Sequence, residues 1–391
     1  MLTTSSNRLL YQSELSWDSL ITSYIKSGNT EKAFAFYGEQ QKDVSVSISG
    51  HTYVALLQAC GKCKDLKRGL EIHDKVDVLG LLKSDVFIGN SLIDMYAKCG
   101  SLEKAQQVFD TLLVRDVVSW TSLISGYSEH GHGEEALNYF KRMRVEATSP
   151  NSVTILCILK ACVSIGAVDK GEAIHAEVEG SILYGRDLAV WNTLIDMYIK
   201  CGLLSKACVL FDSLSVHNVV SWTTLISGYT DNGHGEEALK CFEQMQMEGI
   251  FPDVFTFACS FKACASVGSI DAGQEIHGEI ERRGLFQKDL VVGNVLVDMY
   301  AKCGYLTLAK EVFDKLCTRD VISWTSLIAG YADHGHEKEA LKCFEKMQCD
   351  CVSPNPVTLI SCLKACCSPE AIDKVRELHG EIERKGLLEK N

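Results

Sequence analysis

Residues 116–137 read DVVSWTSLISGYSEHGHGEEAL. At 218–239 the chain reads NVVSWTTLISGYTDNGHGEEAL, and at 320–341 it reads DVISWTSLIAGYADHGHEKEAL. The copies are 102 residues apart, and self-similarity at a fixed period marks a repeat architecture. Each block subdivides, because 117–151, 152–187 and 188–218 share one skeleton with lengths of 35, 36 and 31 residues. Counting outward in that register gives eleven units: 14–49, 50–85, 86–116, 117–151, 152–187, 188–218, 219–253, 254–289, 290–320, 321–355 and 356–391. The first is the least regular, since Trp17 lies 103 residues before Trp120.

Each unit reads as two amphipathic helices. In 117–151, Leu123, Ile124 and Tyr127 recur at helical spacing, Gly131 and Gly133 break the chain, and Ala136, Phe140 and Met143 mark one face of a second helix. Pro150, Pro252 and Pro354 close equivalent units, where a missing N–H does no harm. Ala136, Ala238 and Ala340 mark the expected close approach of two helices. A single hairpin cannot bury its apolar face alone, so neighbours are expected to stack into an all-α solenoid.

Composition agrees. The 391 residues are 46% hydrophobic and include only five prolines, enough for a core and favourable to helices. No apolar run reaches the roughly 18 residues of a membrane span, so no membrane partner is expected. A net charge of −12 argues against a generic nucleic-acid binder, which carries a basic face, but leaves a local basic groove open. The 18 cysteines follow the repeat: Cys60, Cys162, Cys264 and Cys366 hold one equivalent position, and Cys99, Cys201 and Cys303 another. They are expected to serve as small buried hydrophobes in a reducing compartment. Residues 1–13, MLTTSSNRLLYQS, contain no acid, five Ser/Thr and one Arg, a composition suited to the end of an organelle transit peptide.

Tetratricopeptide repeats keep 34 residues and a W-x2-L-G-x2-Y pattern, whereas here Trp120 is followed by TSLISGY. The chain instead resembles plant pentatricopeptide repeat (PPR) proteins of the subclass that alternates P, L and S repeats. The motifs that carry the resemblance are VVSWTSLISGY in the P units, LKACVSIGAVDKGEAIH at 159–175 in an L unit, and VVGNVLVDMYAKCG at 291–304 in an S unit. It extends over residues 14–391 and implies a right-handed superhelical solenoid of helix–turn–helix repeats that binds single-stranded RNA at one base per repeat.

By that resemblance, the base readers are the fifth and last residues of each P and S unit. A carboxylate only accepts, matching the N–H at the centre of the Watson–Crick edge of G or U; a carboxamide matches the acceptor and amino group of A or C. The family pattern adds that a small hydroxyl at the fifth position prefers purines and Asn prefers pyrimidines. Asn90 with Asp116 then implies U, Thr121 with Asn151 A, Asn192 with Asn218 a pyrimidine, Thr223 with Asp253 G, Asn294 with Asp320 U, and Thr325 with Asn355 A. Asp18 with Ser49 in the first unit is left undecoded. The L units carry apolar fifth residues, Val54, Leu156, Ala258 and Ile360, and are expected to space rather than select. With the N-terminus toward the 5′ end, as in the family, the expected target is 5′-UANYGNUA-3′.

The second residues Phe87, Val118, Ala189, Val220, Val291 and Ile322 are mostly apolar; in the family this side chain wedges against the base, and helix-start packing is the alternative. Fifth, ninth and thirteenth residues share a helix face. Lys160, Lys262 and Lys364 at the ninth place of L units, and Lys98, Lys200 and Lys302 at the thirteenth of S units, form a basic line expected to contact phosphates. Glu129, Asp231 and Asp333 in the P units weaken it.

Some family members end in a zinc deaminase, which needs H-x-E followed by P-C-x-x-C. H-x-E occurs at His175/Glu177, His277/Glu279 and His379/Glu381, always at the same place in an L unit, and no P-C-x-x-C follows. The H-x-H pairs His130/His132 and His334/His336 lie in interhelix turns, and the middle copy has Asn232 at the first place; too few ligands surround them for a metal site. No enzyme activity, catalytic residue, metal or cofactor is expected. Asn391 closes an L unit, without a recognisable E/DYW extension, which suggests either a fragment or a protein that recruits a deaminase or editing cofactor in trans. The expected role is therefore choosing a site for C-to-U editing, or for processing, of RNA in a mitochondrion or chloroplast. The alternative is a helical-repeat scaffold for proteins.

Overall fold

The computed structural model describes residues 17–40 and 48–366, apart from 84, 182, 183, 185, 186, 285, 287 and 288, together with residue 380. The leader at 1–13, the chain across 41–47, His379, Glu381 and most of the last unit lie outside the described residues. Among the described residues the regular structure is helical throughout, with 21 α-helices and one 3-10 turn.

The chain divides into two compact units, 1–197 and 198–391. The first holds α1 (Trp17–Lys26), α2 (Thr30–Gln40), α3 (Gly50–Cys63), α4 (Leu66–Val78), α5 (Val86–Lys98), α6 (Leu102–Thr111), α7 (Val117–Glu129), α8 (Gly133–Val145), α9 (Ser152–Ser164) and α10 (Val168–Glu179). Next comes α11 (Leu188–Lys200), which spans the division. The second unit holds α12 (Leu204–Ser213), α13 (Val219–Asp231), α14 (Gly235–Met247), α15 (Val254–Val267), α16 (Ile270–Arg282), α17 (Leu290–Lys302), α18 (Leu306–Lys315), α19 (Val321–Asp333), α20 (Glu337–Cys349) and α21 (Pro356–Lys364).

Within each unit the organisation is the same. The first helices of successive hairpins pack side by side, α3 on α5, α5 on α7 and α7 on α9, then α13 on α15, α15 on α17, α17 on α19 and α19 on α21. The second helices pack against their own partners and the next hairpin, forming the other layer. The invariant letters of the opening stretch make these contacts. Trp120, Trp222 and Trp324 are buried, each edge-on to a phenylalanine of the preceding second helix (Phe109, Phe211 and Phe313) at 4.7 Å between centroids, a favoured aromatic geometry. Ala136, Ala238 and Ala340 are fully buried. Neighbouring first helices approach so closely that a Cβ added to Gly126 would lie 2.6 Å from that of Ala97.

One expectation is corrected. Gly131 makes the interhelix turn with φ of +80°, but Gly133 does not break the chain: it is the first residue of α8. A Cβ there would lie 2.7 Å from Ile165 Cγ2 and 2.8 Å from the Ala161 carbonyl oxygen, so close packing is the reason for its size. The expectation of buried cysteines holds for most copies of one of the two repeated positions, whereas Cys99, Cys201, Cys303 and Cys366 are only half-buried. Cys60, Cys162 and Cys264 are buried, and burial pushes the thiols of Cys60 and Cys264 up to about 12, far from the reactive thiolate.

Candidate RNA-recognition surface

Each of the six last residues singled out in the sequence is the N-cap of the following helix. Asp116, Asn151, Asn218, Asp253, Asp320 and Asn355 all have extended backbones and all form capping boxes with a Ser or Thr three residues on. Asn151 Oδ1 accepts from the Thr154 backbone N–H at 2.8 Å and from its hydroxyl at 2.9 Å. Asp253 Oδ1 accepts the same two bonds from Thr256, both at 2.8 Å. A cap therefore consumes Oδ1 in either residue type. The atom turned away from the cap is then Oδ2 of an aspartate, which accepts, or Nδ2 of an asparagine, which donates.

The fifth residues sit beside these caps and are more buried than a display surface requires. Asn90, Asn192 and Asn294 are 4–6% exposed, and Thr121 and Thr325 are 8% exposed. Asn90 donates through Nδ2 to Asp116 Oδ1 at 3.1 Å, while its Oδ1 accepts from the Ser119 hydroxyl at 2.6 Å. Asn294, Asp320 and Ser323 repeat the arrangement at 3.1 and 2.6 Å. With threonine at the fifth place the link runs hydroxyl to hydroxyl: Thr121 to Thr154, Thr223 to Thr256 and Thr325 to Thr358, each at 2.7 Å. Burial raises the Asp116 carboxyl, but the bonds from Ser119, Asn90 and the Val118 amide outweigh it and hold the group below the usual carboxylate range. Asp320 is held low in the same way by Ser323, Asn294 and the Ile322 amide.

In the first unit Asp18 Oδ1 accepts from the Ser49 amide at 3.3 Å and from the Thr52 hydroxyl, so this acid reaches into the next cap directly. The L units differ. Their fifth residues Val54, Leu156 and Ala258 are half-buried and Ile360 is exposed. Asp85, Asp187 and Asp289 follow three of them and accept from the backbone N–H two residues on, at 2.9, 3.0 and 2.8 Å. The third residues there are Ile88, Val190 and Val292, buried and without a hydroxyl.

The second residues Phe87, Val118, Val220, Val291 and Ile322 stand out from the surface at 48–68% exposure, and Ala189 is also exposed. Sequence reasoning missed their counterparts in three L units: Val153, Phe255 and Val357 are equally exposed apolar residues. The period alone could have found them.

The lysine line carries less free charge than its spacing suggests. Lys98 pairs with Asp94 and Lys302 with Asp298 on the same helix, both at 2.7 Å. Lys262 pairs with Asp231 at 2.6 Å and Lys364 with Asp333 at 3.1 Å, each joining an L unit to the P unit before it. Lys160 and Lys200 are exposed. The H-x-E pair at 277/279 has structural partners: His277 Nδ1 meets the Tyr300 hydroxyl at 2.9 Å, while Glu279 accepts from Gln246 and Arg283. His130 Nδ1 meets the Gly126 carbonyl at 2.9 Å.

Stacked helical hairpins that present a periodic polar pair define a helical-repeat protein. The sequence profile described as "PPR repeat family" matches residues 115–164, 217–266 and 319–368, and the one described as "PPR repeat" matches 15–39, 51–81, 90–117, 189–219 and 294–321. Together they take in more than half of the sequence, and the chain belongs to the pentatricopeptide repeat family. Among curated proteins it is 34% identical over 374 residues to the Arabidopsis thaliana pentatricopeptide repeat-containing protein At4g18520, chloroplastic, covering 96% of this chain and 60% of that one. It is 34% identical over 389 residues to At3g53360, mitochondrial, from the same plant, covering 99% and 50%. The chain thus spans only 50–60% of the length of these two relatives. Among solved structures, maize PPR10 aligns with a TM-score of 0.64 at 18% identity, covering 97% of this chain and 60% of that one. PPR10 in complex with an 18-nt psaJ RNA element aligns with a TM-score of 0.62 at 19% identity, covering 97% and 62%. That likeness establishes the helical-repeat fold.

Proposed function

We propose that this chain binds single-stranded RNA in a sequence-specific way, with each P and S unit of the eleven-unit P-L-S register reading one base. The observation that carries the reading is the linked polar pair: in the 90/116, 121/151, 223/253, 294/320 and 325/355 pairs the fifth and last residues meet across a capping box, and Asp or Asn in that cap offers an acceptor or a donor. A protein-binding groove gives no reason to confine variation to Thr/Asn at one place and Asp/Asn at the other. The RNA-bound structure of PPR10 supports the choice of ligand. The reading gives the target 5′-UANYGNUA-3′. Exposed second residues wedge the bases, and the lysines of the L and S units meet phosphates by exchanging their carboxylate partners.

The same reading places the protein in a chloroplast or mitochondrion, in line with the names of its relatives. There it selects a site for C-to-U editing or processing, with the chemistry supplied by another polypeptide or by a further domain. The test is a gel-shift titration of the full chain against RNA containing UANCGNUA and against a competitor with G and A exchanged. Each mismatch is expected to cost roughly 1 kcal/mol, at the low end of base discrimination by side chains. The double variant Asp253→Asn with Asn151→Asp should reverse the preference at its two bases. Equal weak binding to both RNAs would discard the code; no binding by folded protein would favour a protein-binding scaffold, which the net acidity also suits.

A further inference from the structure

We infer that the third residue of the following unit is an additional specificity-determining position. The buried hydroxyls of Ser119, Thr154, Thr256, Ser323 and Thr358 lock the two base-reading side chains into one group and fix the atom that the last residue presents. This rests on the base-reading proposal above and adds to it a residue that touches no base.

Three observations converge on it. All five side chains are fully buried, so none can meet RNA, yet each hydroxyl reaches both members of its reading pair. Their identity also follows the fifth residue. Asn90 and Asn294 are matched with Ser119 and Ser323, and Thr121, Thr223 and Thr325 with Thr154, Thr256 and Thr358. The apolar fifth residues Val54, Leu156 and Ala258 are matched with apolar Ile88, Val190 and Val292.

Hydrogen accounting gives the consequence. A threonine hydroxyl has one proton. That of Thr223 lies 2.7 Å from the Val219 carbonyl, which can only accept. The same hydroxyl lies 2.7 Å from Thr256 Oγ1, so the one proton of Thr223 is shared between the Val219 carbonyl and Thr256 Oγ1, and the proton of Thr256 is left for a partner that can only accept. Thr256 donates that proton to Asp253 Oδ1 while its oxygen accepts from Thr223, so one buried hydroxyl orients both readers. Without it the carboxylate is anchored by a single backbone N–H and can swing about its χ angles, blurring which oxygen faces the base.

The experiment uses the full chain and the variants Thr256→Val and Thr256→Ser. The readout is the ratio of Kd values for two RNAs that differ only in G or A at the fifth base of the site. A ratio cancels any change in the folded fraction. Thr256→Val is expected to lower the G-over-A ratio about fivefold, the worth of one hydrogen bond, and to leave the ratio at the seventh base unchanged. Thr256→Ser, which keeps the hydroxyl, should restore the ratio. An unchanged ratio in Thr256→Val overturns the inference, as does a serine variant that fails as valine does, because packing would then be the cause. If the unaltered chain does not prefer G and Asp253→Asn changes nothing, the base-reading proposal itself falls first.

Discussion

Two neighbouring junctions in the first compact unit share a backbone device and differ in the side chains buried beside it. At one, Asn151 caps α9, and Thr121 is tied to it through Thr154. At the next, Asp187 accepts from the Ala189 amide at the start of α11, but Leu156 and Val190 stand where the two threonines stood. Capping is common to both, so on the proposed reading capping alone does not make a junction selective. The difference lies in whether the buried pair beside the cap is polar or apolar. A polar side chain in a buried place costs free energy unless its partner is present. The third and fifth places must therefore change together, and in this chain they do.

The largest effect should come from splitting such a pair. Ser323→Val removes the hydroxyl that Asn294 Oδ1 accepts at 2.6 Å, in a side chain only 4% exposed. The expected loss of stability is ~1–3 kcal/mol, the cost of stranding a buried polar group. Adding Asn294→Val removes the stranded partner, so the double variant should be more stable than Ser323→Val alone. Denaturant titration of both variants measures this. A double variant less stable than the single one would mean that the polar pair is not an exchangeable cassette.

The converse change should give a smaller effect, visible in RNA binding. Ala258→Thr with Val292→Thr places two hydroxyls beside Asp289, which already accepts from the Val291 amide at 2.8 Å. The L unit should then prefer G at the sixth base of the site by roughly fivefold, the worth of one added hydrogen bond. Val292→Thr alone should bring no preference, because its hydroxyl lacks the fifth residue. Competition among four RNAs that differ only at that base decides it. Indifference in the double variant would mean that the selective and spacing junctions differ in backbone position and not only in side chains.

The frame of the molecule was legible because packing repeats. Trp120, Trp222 and Trp324 recur with their phenylalanine partners, and period alone places them on one face. The fifth and last residues were singled out as positions, but the hydrogen bonds that link them were not. Asp116 and Ser119, or Asn151 and Thr154, are a capping-box spacing plain in the sequence, yet a Ser or Thr unchanged between the 102-residue copies reads as scaffold. Gly133 was misread because a glycine after a turn looks like part of the turn; only the neighbouring Ile165 and Ala161 reveal its packing role. Charge was the hardest part. Asp231 and Lys262 are 31 residues apart and on different helices, and spacing along one helix says nothing of such a pair.

That pairing yields the smallest prediction and sharpens the comparison from the phosphate side. Lys262 and Asp231 are both more than half exposed, and such surface pairs contribute only ~0–1 kcal/mol. On the proposed reading, RNA therefore takes the lysine from the aspartate, at the expense of leaving that acid near a phosphate. Asp231→Asn should tighten binding at low salt, since the lysine is already unpaired and a like charge is gone. Lys262→Gln should weaken it, and the slope of log K against log salt should become shallower by roughly 0.7, one phosphate contact on a single strand. Neither change should alter base discrimination, because both residues lie off the reading pairs. A shift in the G-over-A ratio with Asp231→Asn would mean that the charge line and the code are one device rather than two.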